Sequence, residues 1–156
     1  METENLARAL AEHPFCKDMR PDDIEFLSGC AKNARFAEGE FLAREGDAAD
    51  TLLLLRKGNV ALEVHVPGRG DRQLETVGPG EVLGWSALFP PHTWHLDLRA
   101  LTPCLVFAID GVCLRKKVEG DHSFGYLVTR LLLMRVHARL ERARLAQLDL
   151  LAAENS

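Results

Sequence analysis

No stretch of this chain approaches the roughly 18 consecutive apolar residues a membrane-spanning helix requires, so no membrane partner is expected. Positive charge is not in excess either. Nineteen Lys and Arg stand against 23 Asp and Glu, a formal net charge of -4 that gives no electrostatic case for nucleic acid. Cysteine is sparse and scattered. Cys16, Cys30, Cys104 and Cys113 form no C-x-x-C pair and lack the clustering that holds an iron–sulfur centre, so four reduced, mostly buried thiols and no cofactor are expected. His92 and His95 share a proline-rich loop with no third ligand nearby, so no metal site is expected. Residues 1–13 alternate charge and alanine without the apolar core of a secretory leader, and the expected compartment is the cytoplasm. No nucleophile–base pair stands out, and Glu45 and Glu81 sit in turns, so an enzyme is not expected. Aromatics make up only 6% of the chain, and its two tryptophans, Trp85 and Trp94, fall in one short segment.

With 156 residues, 47% of them apolar and 27% charged, the chain has the length and composition of one globular domain spanning 1–156. Residues 1–33 read as helical: 2–12 suit a short helix ended by Pro14, and Pro21-Asp22-Asp23 opens a second whose inner face carries Ile24, Leu27, Cys30 and Ala31. Between 34 and 109 the pattern changes to eight short apolar runs punctuated by glycine, among them Glu45-Gly46-Asp47, Lys57-Gly58 and Gly78-Pro79-Gly80. In one run Val60, Leu62, Val64 and Val66 alternate with polar neighbours. Eight strands at this spacing predict an α+β, mainly β fold: an antiparallel β-roll, or jelly roll, with two N-terminal helices and a long C-terminal helix. A cupin, the other common small fold of this kind, needs an H-x-H pair with a glutamate and a later histidine, and that set is absent.

Residues 110–151 return to helix. A short helix ends near Gly120, and Asp121 or Ser123 caps a long one running to about Leu151. One stripe of that helix carries Leu127, Leu131, Met134, Ala138, Leu145 and Ala152, and another carries Val128, Leu132, Val136, Leu140 and Ala143. Two opposed apolar faces predict packing against the domain on one side and a partner on the other, with Leu127, Leu131, Leu132, Val136 and Leu140 at a homodimer seam. The arginines of this helix, Arg130, Arg135, Arg139, Arg142 and Arg144, are interspersed with acids and read as a solvated face or rim pairs.

The segment from Val77 to Ala100, with its Gly78-Pro79-Gly80-Glu81-Val82-Leu83-Gly84 turn, resembles the phosphate-binding cassette of cyclic nucleotide-binding domains. With the ordered glycines of the preceding turns, the resemblance runs from about Leu10 to Leu150. It implies a β-roll in which a short helix and the following strand trap a cyclic phosphate. It also implies that the C-terminal helix forms a homodimer seam. Two residues depart from the pattern. Trp85 stands where the family places a glutamate for the ribose hydroxyl. Trp94 stands where it places the phosphate-gripping arginine, with Thr93 and His95 the neighbours in register. Losing a bidentate guanidinium–phosphate pair costs several kcal/mol, about a thousandfold in affinity, so conventional cAMP recognition is not expected.

The candidate pocket is Gly84, Trp85, Ser86, Ala87, Leu88, Thr93, Trp94, His95 and Arg99. Backbone amides after Gly84 could hold a small anionic or nucleotide ligand, and the indoles could stack on a planar one. The indoles could equally fill the space the nucleotide would occupy. The leading expectation is therefore a stand-alone sensor module that signals to a protein partner. The alternative is a ligand-free dimeric adaptor. The winged helix that reads DNA in the family's transcription factors would follow the long helix. Only five residues follow Leu151 here, so DNA binding is not expected.

Overall fold

The computed structural model describes residues 5–154. Helix α1 (Leu6–Glu12) is capped by Asn5, whose side chain accepts from the Arg8 amide. Positions 2–4 of the predicted first helix lie outside the described residues. A 3-10 turn, Pro14–Cys16, leads to α2 (Pro21–Cys30). Eight strands follow: β1 (Ala31–Phe36), β2 (Phe41–Ala43), β3 (Thr51–Lys57), β4 (Val60–Val66), β5 (Gly70–Val77), β6 (Val82–Leu83), β7 (Asp97–Ala100) and β8 (Cys104–Asp110). A second 3-10 turn, Trp85–Leu88, follows β6, and α3 (Gly111–Gly120) and α4 (His122–Glu154) close the order. All eight predicted strands are present. The first begins at Ala31, so Ala31 belongs to a strand and not to the inner face of α2.

The strands form two four-stranded antiparallel sheets, ordered β1-β8-β3-β6 and β2-β7-β4-β5. The first sheet is buried on both faces along β3 and β8, while its edge strand β1 is partly exposed. From β3, Leu52 and Leu54 join Phe107 and Ile109 against the helices, while Leu53 and Leu55 join Val106 and Ala108 in the core between the sheets. An unbroken Leu52–Leu55 run is what a doubly covered strand requires. Strand β4 behaves differently along its length. Val60 and Leu62 enter the inter-sheet core, but Val64 and Val66 are only half-buried. The register shifts after Leu62, and β7 pairs with β4 only as far as Glu63, so the end of the β4–β5 hairpin has no sheet beside it.

One expectation about the ends of the roll is corrected. The cysteines are not all reduced: Cys30 and Cys113 are joined in a disulfide, their Cα atoms 6.1 Å apart. The cause is the sheet register. Strand β1 opens opposite the close of β8, with Ala31 facing Ile109, so the end of α2 and the start of α3 meet although 83 residues separate the cysteines. Cys16 and Cys104 are free and buried, and burial raises both thiols, Cys16 to about 12.

Along α4, Leu132 is 3% exposed and sits in the core with Phe124 and Val128, while Leu127 and Leu131 pack half-buried against that core. These three leucines therefore hold the helix to its own roll, and Leu132, fully buried there, is not available to a seam. Val136 and Leu140 do remain exposed, with Tyr126 and Leu133. Positions 126, 133 and 140 and positions 129, 136, 143 and 150 are each seven apart, a heptad stripe that shares Val136 and Leu140 with the predicted seam.

Candidate functional site

The Gly80–Gly84 turn is shaped by backbone that only glycine accepts cheaply. Gly84 has φ +86, and a Cβ there would lie 2.6 Å from Trp94 Cη2 and 2.7 Å from the Thr51 carbonyl oxygen. The missing side chain is the space into which the Trp94 indole packs. Trp94 is fixed from its backbone as well. Its N–H donates to the Asp47 carbonyl and its carbonyl accepts from Gly46 N–H, both at 2.9 Å. A few residues on, the Asp97 carboxylate accepts from the Glu45 amide at 2.8 Å, which ties the same two loops together. The indole is 8% exposed, among Leu62, Leu83 and Leu98 in the core between the sheets.

What remains beside it is a cavity of about 70 Å³, walled by Leu62, Leu83, Leu96, Leu98, Gly84, Trp85, Ser86, Trp94, His95 and Arg139. Five of the predicted pocket residues, Gly84, Trp85, Ser86, Trp94 and His95, are thus brought together. Four are not. Ala87 turns under the 3-10 turn, packed so closely on Gly111 that a Cβ there would sit 3.3 Å from its own. Leu88 packs toward the helical core, and Thr93 bridges to Ala48. Arg99 points out of the roll because its neighbour Leu98 points in, and it makes two hydrogen bonds to the Glu63 carboxylate, at 2.8 and 3.1 Å.

The residue that sequence reasoning misplaced is Arg139. It is not part of a solvated face: α4 carries it over the Trp85 ring, 4.6 Å from the centroid, and it lines the cavity. Its Nε lies 3.6 Å from Glu75 and its Nη2 3.9 Å from Glu81, and both nitrogens are buried without a hydrogen-bond partner. Burial lowers its pKa and the two carboxylates oppose that shift. Arg142 takes the closer contact, 2.7 Å to Glu75, and Arg135 Nη1 donates to the Gly80 carbonyl at 2.8 Å. Positions 135, 139 and 142 share one helical face, the signal that could have singled them out. Together they strap α4 across the turn that opens the cassette segment.

Below this strap a second cleft of about 490 Å³ opens between α4 and strands β4 and β5, with Leu62, Leu74, Leu96, Ala143 and Ala146 in its walls and the two glutamates and Arg142 at its edge. The 3-10 turn and the tryptophans take no part in it. That turn is tied instead to α3, where Arg115 donates to the Ala87 carbonyl and Gly111 packs on the Ala87 side chain. Among the described residues no three His, Cys, Asp or Glu side chains gather as a metal site, and no helix is long and apolar enough to cross a membrane.

The sequence model of the cyclic nucleotide-binding domain matches residues 34–121. Among solved structures, a protein named for cyclic nucleotide binding from Geobacter metallireducens aligns with a TM-score of 0.78 at 25% identity, covering 88% of this chain and 99% of that one. A cyclic nucleotide-binding domain from Methylobacillus flagellatus aligns at 0.79 with 20% identity, over 88% and 81% of the two chains. The sensor domain of the transcriptional regulator DNR from Pseudomonas aeruginosa aligns at 0.71 with 16% identity, over 88% and 95%. The last two likenesses speak to fold alone.

Proposed function

The chain belongs to the cyclic nucleotide-binding domain family, and we propose that it is a regulatory module of that family whose roll no longer receives a cyclic nucleotide and which works through α4. The observation that carries this reading is Trp94. A small-molecule pocket occupies at least about 300 Å³, and the indole, seated against Gly84, leaves about 70 Å³. The cassette is degenerate in this reading: Trp94 replaces the grip on the phosphate and fills its volume, and Arg99, the nearest guanidinium in sequence, is committed to Glu63 on the outer face.

With the pocket filled, the surface left to act is the outward stripe of α4. Tyr126 is 68% exposed, Leu133 66% and Leu140 46%, at heptad spacing with Val136 and Leu150. A contiguous apolar stripe of this length is a liability unless covered, and a second copy of the helix fits a heptad seam. The module is accordingly a homodimer that presents its rolls to a protein partner, in the cytoplasm as its sequence suggests.

A second reading, a sensor of a small ligand, is favoured by the cleft under α4, whose size is in the ligand range and whose apolar floor carries charged groups at one edge. Native mass spectrometry of freshly isolated protein separates the two: a stoichiometric small molecule supports the sensor. The dimer is tested by sedimentation at micromolar concentration. The wild type should run as a dimer, and Leu133→Asp with Leu140→Asp should run as a folded monomer. A wild-type monomer, or a dimer that survives both substitutions, contradicts the seam.

A further inference from the structure

We propose that the Cys30–Cys113 disulfide is a thiol–disulfide exchange site, at which a dithiol reductant releases α3 from α2 and so loosens the base of α4. The bond joins the last residue of α2 to the first turn of α3, and both cysteines are half-buried, within reach of solvent. The two remaining thiols, Cys16 and Cys104, are buried inside the fold, which confines the exchange chemistry to this pair.

The position of α3 gives the bond its consequence. On one side α3 holds the 3-10 turn, through Arg115 to the Ala87 carbonyl and through the contact of Gly111 with Ala87. On the other it leads directly into α4, where a Cβ on Gly125 would meet the Val118 carbonyl oxygen at 2.4 Å. Apart from the disulfide, α3 meets α2 through Lys117, whose Nζ stands 5.1 Å from the Phe26 ring centroid, and through Leu114, which shares the helical core with Ile24 and Leu27. Cutting the bond therefore removes the one cross-link between the N-terminal helices and the segment that joins the cassette to α4, and leaves the packing of Leu114 and of Phe124 on Phe26 to hold them together.

The exchange balances without another reactant. A thiolate of the dithiol attacks Cys30 Sγ, a mixed disulfide forms, and the electron pair of the broken S–S bond leaves on Cys113 Sγ. Cys113 is the better leaving group because it lies in the first turn of α3, where a helix end favours negative charge, whereas Cys30 closes α2. The second thiolate of the dithiol then attacks its own mixed-disulfide sulfur, closes to a cyclic disulfide and releases Cys30. The protein gains two electrons and two protons, and the dithiol loses them.

The test combines thiol counting with amide exchange on the full chain. Denatured without reductant, the protein should show two free thiols, rising to four after dithiothreitol under native conditions. Reduction should speed amide exchange over 111–128 by about tenfold or more, reflecting easier local opening, and leave the β3–β8 pairing unchanged. Cys30→Ser with Cys113→Ser should exchange like the reduced wild type with or without dithiothreitol, and Cys16→Ser like the oxidised one. Four thiols before reduction, or exchange over 111–128 that is the same in both redox states, overturns the proposal.

Discussion

Trp94 is held by shape and by its backbone, and the two can be separated. Truncation to alanine leaves the loop hydrogen bonds of residue 94 in place and removes an indole from the inter-sheet core. Trp94→Ala should cost about 3–5 kcal/mol, as large-to-small core changes do, read by denaturant melts. The vacated volume has the shape of an indole, so millimolar indole should raise the melting temperature of the variant and leave the wild type unmoved. An inexpensive truncation without indole rescue would mean that the ring lines an open pocket. His13 makes a different prediction. Its Nδ1 accepts from the Phe15 amide, so Nε2 carries the proton and donates to the Leu55 carbonyl at 3.0 Å. Desolvation lowers its pKa below the ordinary 6.5. The unfolded chain therefore binds the proton first, and the stability contributed by neutral His13 is fully present above pH 6.5. It is lost as pH falls through 6.5 toward the lowered folded value. Melts from neutral pH down to about 5.5 should show this decline, and His13→Gln should flatten it.

Helix α4 is the element whose role sequence described least well. Its apolar residues were legible as facing two ways, but periodicity does not say which stripe is inward, and the choice falls to the docking of Phe124, Val128 and Leu132. Of the residues expected at a seam, Val136 and Leu140 lie on the exposed face, Leu127 and Leu131 at its half-buried margin, and Leu132 in the core. Of its arginines, Arg130 is exposed and Arg142 and Arg144 form ion pairs, as the sequence suggested, but the burial of Arg139 was not legible, for a related reason. Charged residues among apolar ones look solvated until a strand, here β5 with Glu75, is known to lie opposite. The strap they form is expected to favour register over stability. Nε and Nη2 of Arg139 are buried without a hydrogen bond, so Arg139→Met should be neutral or stabilising, because its unbranched side chain still covers Trp85. Glu75→Gln with Glu81→Gln keeps the buried guanidinium and removes both counter-charges, and it should cost about 1–3 kcal/mol. Chemical denaturation of the two variants checks the order; a more damaging Arg139→Met would assign the strap a stabilising role.

For the whole molecule, the fold was readable because its constraints are local and repeated: glycine at turns such as Gly84, and an unbroken leucine run where β3 is covered on both faces. The pocket was half readable. Gly84, Trp85, Ser86, Trp94 and His95 converge as their sequence neighbourhood suggested, while Arg99 was lost to the alternation of one strand and Arg139 arrived from 45 residues away in sequence. The disulfide was invisible for the same reason, since only the β1–β8 register brings Cys30 to Cys113. Loss of cyclic-nucleotide binding in this chain rests on Trp94 occupying the nucleotide's place. Calorimetric titration of the wild-type protein with cAMP and with cGMP tests it most directly. No saturable heat should appear for either nucleotide below roughly 100 μM, the affinity left once the guanidinium–phosphate pair is gone. A one-to-one isotherm with a low-micromolar dissociation constant would show that the pocket opens and would contradict the account.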